Sequence, residues 1–160
     1  MRLYYTDGAY SSRSKLAGWA CVVIADGKVF SIKNGYEPYS TNNRGELIAF
    51  LYALEQIDRR DEEAKIYTDS AYIANTFNQK WYVKWLKNGW RTSDRQQVKN
   101  QDLWKRIVSL YIKNHERVKL EVIKVEGHSD NYYNNLADQY AVKARKEAEV
   151  YEKNISANAD

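Results

Sequence analysis

LYYTDG at residues 3–8 and KIYTDS at residues 65–70 share the tripeptide Tyr-Thr-Asp, and the chain between them decides the fold. Each is a short apolar run that stops abruptly at an aspartate followed by a turn-forming residue, which reads as a strand end. Between them Leu47, Leu51, Leu54 and Ile57, with Phe50, recur at helical spacing over about residues 43–58. Strand, helix, strand implies a parallel crossover, right-handed by default. Asp7 and Asp69 are then expected at the carboxyl ends of neighbouring parallel strands, the edge where open α/β sheets place their sites.

Outward from this unit, Trp19–Ala25 and Lys28–Tyr36 flank Asp26-Gly27, a strong hairpin signal, so the chain opens as a three-stranded antiparallel meander. Short helices are expected near 71–77 and 81–87, and a longer one near 100–113. Leu120, Val122 and Val125 suggest a last strand, and a helix runs from about 134 to 152. The fold class is α/β: a mixed five-stranded sheet, three antiparallel strands plus two parallel, flanked by helices. Residues 1–153 are expected to form one domain and 154–160 a polar tail.

Composition narrows the function. At 160 residues and 44% hydrophobic the chain suits one globular domain with a proper core. No apolar run reaches 18 residues, and the first strand begins by about Leu3, so neither a transmembrane helix nor a signal peptide is expected. The single cysteine, Cys21, lies in the apolar run WACVVIA and suits a reducing compartment. A cytoplasmic protein is expected. A monomer is expected too, for no heptad pattern suggests assembly. A net charge of +4 hints at an anionic partner.

Four carboxylates carry the chemistry: Asp7 in YTDGAY, Glu46 in NNRGEL, Asp69 in YTDS and Asp138 in NNLADQYA. Each alone has an ordinary explanation. Asp7 precedes a glycine as turn residues do, Asn43 with Glu46 resembles a capping box, Asp69 or Ser70 could cap a helix, and Asp138 could be solvated. Their segments, however, read as strand end, helix start, strand end and helix start. A fold that gathers those ends makes a dense negative pocket that needs cations. Mg²⁺ prefers hard oxygen ligands, and two such ions about 4 Å apart can activate water and stabilise a leaving oxygen in phosphodiester cleavage. The chain has no Cys/His cluster for zinc, no P-loop glycines and no Gly-x-Ser-x-Gly elbow. His128, after Gly127 at the end of the last strand, suits proton shuttling near neutrality, or is a surface loop residue; His115 reads as a surface residue.

Residues 79–106, QKWYVKWLKNGWRTSDRQQVKNQDLWKR, carry a net +6, which leaves the remainder at −2. Four of the five tryptophans are here, and cations concentrated among aromatics suit a grip on a nucleic-acid backbone. Trp85 and Trp104 are expected instead to form the local core of this helical excursion.

In order and spacing, YTDGAY, TNNRGELIAFLYALE, YTDSAYI, GWRTSDRQQVKNQDLW and VEGHSDNYYNNLAD resemble the type 1 ribonucleases H, the bacterial kind with a basic protrusion, over about residues 2–145. The resemblance implies that Asp7, Glu46, Asp69 and Asp138 hold two Mg²⁺, with Mn²⁺ a possible substitute, and that His128 aids proton transfer or product release. It implies that Asn42 and Asn43 touch the minor groove of an RNA–DNA hybrid, and that Thr41 and Asn100 hold a phosphate of the DNA strand. Trp81, Lys84, Lys87 and Arg91 match the protrusion. Departures touch only substrate contacts: SSRSKLAG replaces a glycine-rich stretch, Ala71 stands where glutamine is frequent, Tyr39 where a cation is frequent, and Asn135 where glutamate is frequent.

The expected activity is endonucleolytic hydrolysis of the RNA strand of hybrids, leaving 5′-phosphate and 3′-hydroxyl ends. One rival is a transposase or integrase on the same fold, against which the four acids with Gly127-His128 and the protrusion argue. Another is a non-catalytic binder of hybrid or duplex RNA, which would gain nothing from a negative pocket facing phosphates.

Overall fold

The computed structural model describes residues 1–126 and 131–158. Its elements run β1 (Arg2–Ser11), β2 (Leu16–Ala25), β3 (Lys28–Glu37), α1 (Asn42–Gln56), β4 (Glu63–Thr68), α2 (Ala71–Asn78), α3 (Trp81–Lys87), α4 (Gln101–His115), β5 (Lys119–Lys124) and α5 (Tyr132–Asn158). The strands form one sheet in the order β3-β2-β1-β4-β5. β1, β2 and β3 pair antiparallel, while β4 runs parallel to β1 and β5 parallel to β4. The expected mixed sheet is therefore present. In the β2–β3 turn Asp26 and Gly27 both take positive φ, +53° and +76°, as the tightest hairpin turn demands.

Alternation of side chains splits the core between the two faces. Tyr4, Cys21, Val23, Ile66 and Val122 pack with Phe50 and Leu54 of α1, Phe77 of α2 and Ile107 of α4. Tyr5, Val22 and Ile24 turn to the other face and meet Ala137 of α5. Phe50, Leu54, Ile66 and Ile107 are fully buried, each stabilising by about 1.5–3 kcal/mol before entropy is counted. Cys21 is such a core residue, with burial pushing its thiol up to about 12. Trp85 and Trp104 are buried as expected, edge to face with ring centroids 5.1 Å apart. No helix among the described residues is long and apolar enough to cross a membrane.

Two expectations change. Asp7 does not end its strand: β1 continues to Ser11, because the antiparallel partner β2 carries it on through Ser11↔Leu16 after parallel pairing with β4 stops at Tyr5↔Tyr67. The last helix does not stop near 152. It continues to Asn158, so most of the expected polar tail is helical, with Val150, Tyr151 and Ile155 exposed.

Missing side chains seat the helices that frame the sheet. A Cβ on Gly8 would lie 2.7 Å from the backbone nitrogen of Glu46 and 2.7 Å from the carbonyl carbon of Gly45, so α1 rests directly on β1. On the opposite face a Cβ on Gly18 would collide with the carbonyl of Ala141, so α5 rests on β2 in the same manner. Gly8→Ala should therefore lower unfolding free energy by about 1–3 kcal/mol, since backbone rather than a movable side chain must give way. Urea denaturation checks this, and an unchanged midpoint would show that α1 is not seated by that approach.

Candidate metal centre and nucleic-acid groove

The β1–β4 register pairs Arg2 with Ala64 and Tyr5 with Tyr67. Continued by two residues, it sets Asp7 beside Asp69. The two Tyr-Thr-Asp tripeptides thus lie in phase. The Tyr5 and Tyr67 rings stack with centroids 4.3 Å apart and planes 4° from parallel, and Thr6 Oγ1 donates to the Tyr67 carbonyl at 2.9 Å. α1 approaches the sheet over Gly8 and brings in Glu46. Carboxylate oxygens of Asp7, Glu46 and Asp69 all lie within 4.8 Å of one another. Asp138, exposed two turns into α5, stands outside that cluster but near enough for its charge to raise the Asp7 carboxyl. The structure therefore brings together three of the four acids that the sequence singled out, with Asp138 nearby on α5. His128 lies outside the described residues.

For Asp7, Glu46 and Asp69 the ordinary explanations do not hold. Asp7 sits inside a strand rather than a turn. Thr41, not Asn43, caps α1, its Oγ1 accepting from the Arg44 N–H at 3.2 Å. Ser70, not Asp69, caps α2, its Oγ accepting from the Ile73 N–H at 3.2 Å.

Three or four carboxylates in one partly dry space disfavour one another's ionisation. Burial, then the charge of Asp69 and that of Asp138, push Asp7 up to about 8. Glu46 is also raised, by burial and then by the charges of Asp7 and Asp69. Compensation is thin. The Gly8 N–H donates to Asp7 Oδ1 at 2.9 Å and to Glu46 Oε1 at 3.3 Å. Among the described residues no ion pair reaches any of the four acids. Glu46 Oε2 is buried with no hydrogen-bond partner. An orphaned carboxylate oxygen amid hard-oxygen donors fits a divalent cation such as Mg²⁺.

Beside the acids a groove leads away. A cleft of about 350 Å³ is lined by Asn43, Ser70, Tyr72, Lys99 and Asn100, among others. It shares Tyr72 and Thr92 with a second cleft of about 370 Å³ walled by Trp81, Lys84, Trp85 and Arg91. Lys84, Lys87 and Arg91 are exposed on α3 and the loop after it. Asn42 and Asn43 are exposed in the first turn of α1. Thr41 and Asn100 are joined through Arg44, which bonds both. Sequence reasoning passed over Arg44 and Tyr72. Arg44 stands in the same TNNRGE run as the asparagines and Glu46. Tyr72 follows Asp69 in YTDSAY, and its ring meets both Trp81 and Trp104.

A family model described as RNase H matches residues 2–146. Ribonuclease H of Caldanaerobacter subterraneus is 44% identical over 142 residues, covering 89% of each chain. Ribonuclease H of Chlorobaculum parvum is 42% identical over 143 residues, covering 89% of this chain and 94% of that one. Among solved structures, the RNase H domain of PFV superposes with a TM-score of 0.76 at 21% identity, over 91% of this chain and 94% of that one. LC11-RNase H1, solved in complex with RNA/DNA hybrid, superposes with a TM-score of 0.66 at 21% identity, over 92% and 99%. At that identity the likeness is one of fold.

The crowded acids set how stability depends on pH when no divalent cation is present. Asp7 and Glu46 keep protons in the folded protein above the pH at which an unfolded carboxylate releases them. Between about pH 4 and pH 8 the folded state thus binds more protons, and stability falls as pH rises through that window. Thermal melts in chelator should show Tm dropping from pH 5 to pH 8. Asp7→Asn should flatten the drop and raise Tm at pH 8. A Tm that climbs over that range instead would contradict the desolvation of these acids.

Proposed function

The chain belongs to the ribonuclease H family, whose members are nucleases, and we propose that it hydrolyses the RNA strand of RNA–DNA hybrids internally by two-metal-ion catalysis. The observation that carries this reading is the meeting of Asp7, Glu46 and Asp69, with Asp138 beside them, at the head of a groove that runs to a basic aromatic protrusion.

Asp7, Glu46, Asp69 and Asp138 would hold two Mg²⁺, with Mn²⁺ able to substitute. When bound, the ions supply Lewis acidity that activates water and neutralises charge on the leaving oxygen. The reaction forms a bond from water oxygen to phosphorus and breaks the bond to the 3′-oxygen. It leaves a 5′-phosphate and a 3′-hydroxyl. His128 is assigned proton transfer to that departing oxygen, or product release, on the family resemblance alone.

The rest of the chain's contribution is positioning. Asn42 and Asn43 offer donors and acceptors to RNA 2′-hydroxyls in the wide, shallow groove of the hybrid. Thr41 and Asn100 receive a phosphate of the DNA strand. Trp81, Lys84, Lys87 and Arg91 hold the backbone further along. The protein is proposed to work as a monomer in the cytoplasm, within one domain over residues 1–153.

Labelled substrates in Mg²⁺ test the reading directly. RNA within a hybrid should be cut at many positions with little base preference, duplex DNA should resist, and duplex or single-stranded RNA should be nearly inert. Polar sites built for a hydroxyl discriminate strongly when it is missing. Equal cutting of duplex RNA and hybrid would overturn the assignment. Asp69→Asn preserves shape and removes charge, and should lower activity at least ~10³-fold. Retention of most activity would remove Asp69 from the metal centre.

The protrusion is tested by charge. Neutralising Lys84, Lys87 and Arg91 together should weaken hybrid binding and shrink the log–log salt slope by up to about 0.9 for each phosphate no longer neutralised. An unchanged slope would reduce this segment to a solvated helical excursion.

A further inference from the structure

Arg44 uses every donor of its guanidinium within the protein. Nε and Nη2 grip the two oxygens of Glu37 at 2.7 and 3.1 Å, and Nη1 and Nη2 grip those of Asp102 at 2.9 Å each. The remaining Nη1 hydrogen goes to Asn100 Oδ1 at 3.3 Å, and the backbone N–H goes to Thr41 Oγ1 at 3.2 Å. One residue thus ties the end of β3, the first turn of α1 and the first turn of α4. Flanked by two carboxylates, it is not a cation free to meet phosphate. Both carboxylates are held below their ordinary range by hydrogen bonds from Arg44.

The consequence lies in which atoms Arg44 leaves over. It occupies the acceptor oxygen of Asn100, so the Nδ2 hydrogens turn the other way, and no described residue accepts them. The helix cap, made by the backbone N–H at position 44, occupies the oxygen of Thr41 and leaves that hydroxyl its hydrogen. Asn100 itself stands at φ +60° and makes no side-chain cap to α4, so its amide is not spent on the helix. Asn100 lines the cleft together with Lys99. A phosphate oxygen accepts hydrogen bonds and donates none, so it needs a wall of donors.

We propose that Arg44 is a positioning residue whose guanidinium fixes the amide of Asn100 with its donors outward, beside the Thr41 hydroxyl, so that the pocket takes a backbone phosphate of the DNA strand. The proposal rests on the hybrid-cleaving reading above and adds to it a residue that sets affinity without touching substrate.

The test uses a hybrid in which a single RNA linkage can be cut, with each DNA-strand phosphate replaced in turn by an uncharged methylphosphonate. In the wild-type protein one position should lower kcat/KM roughly tenfold, as removal of a charge-assisted hydrogen bond does. Arg44→Gln should lower kcat/KM by a similar factor on the unmodified hybrid and show less than about a twofold further loss at that position, since coupled interactions do not add. Arg44→Lys, which keeps the charge but lacks the planar fork, should behave like Arg44→Gln. The salt slope of binding should stay at the wild-type value in Arg44→Gln; a slope smaller by about 0.9 would mean direct phosphate contact and overturn the positioning role.

Should Arg44→Gln fail to fold, Asn100→Asp decides. It keeps the bond from Arg44 and turns the outward donor into an acceptor. The sign should then reverse, with the methylphosphonate hybrid the better substrate at that position; an unreversed sign overturns the proposal. Wild-type protein that leaves every hybrid uncut would overturn the hybrid-cleaving reading. Wild-type protein that cuts hybrids but ignores every methylphosphonate, or Arg44→Gln as sensitive as wild type, would overturn this proposal alone.

Discussion

The parallel pairing of β1 with β4, in one register, is the constraint on which the site depends. Side chains alternate across a strand, so a slip by one residue would send Asp7 or Asp69 to the opposite face. The stacked Tyr5 and Tyr67 rings lie two residues before the aspartates, and with the bond from Thr6 Oγ1 to the Tyr67 carbonyl they hold the phase. Neither interaction uses a charge. The negative site is therefore built on a neutral, well-packed base, and its own repulsion is resisted by elements that do not share it. The glycines complete the arrangement, since Gly8 lets α1 bring Glu46 in from one face and Gly18 lets α5 settle on the other.

Most of the fold was legible because its signals are local. Asp26-Gly27 declares its hairpin, and the leucine stripe over 43–58 declares α1. The end of β1 was not legible, because nothing in the residues after Asp7 says that β2 will pair with them as far as Ser11. The length of α5 escapes the sequence for a related reason. Residues 154–158 are exposed and mostly polar, but the helix they extend is already formed, and continuing one is far easier than nucleating one.

The site was legible at its acids and much less so at its supports. Carboxylates that the sequence sets near strand ends and helix starts are conspicuous once the elements are ordered, although β1 runs on past Asp7. Asn43 and Glu46 resemble a capping box, yet the cap is Thr41, one residue before the helix, and that shift frees Glu46 to point at Asp7. Arg44 is invisible in the sequence because its partners, Glu37, Asn100 and Asp102, are spread over the chain and meet only when the sheet edge and α4 converge. A cation beside a carboxylate in sequence is common. A cation with all five donors engaged is a property of tertiary structure.

The modest net charge of +4 conceals a sharp separation of sign along one groove. At one end stand acids that resist ionising together, and at the other stand Lys84 and Arg91. A polyanion drawn in by the basic end meets, at the acidic end, a field that repels it. Divalent cations among the acids would reverse that field, and a phosphate would in turn supply ligands the cations need. Cation and substrate would each bind more tightly in the presence of the other, and by linkage the two gains must be equal. Such coupling needs no moving part. It follows from placing unpaired carboxylates at the head of a cationic groove and holding them there with interactions that carry no net charge of their own.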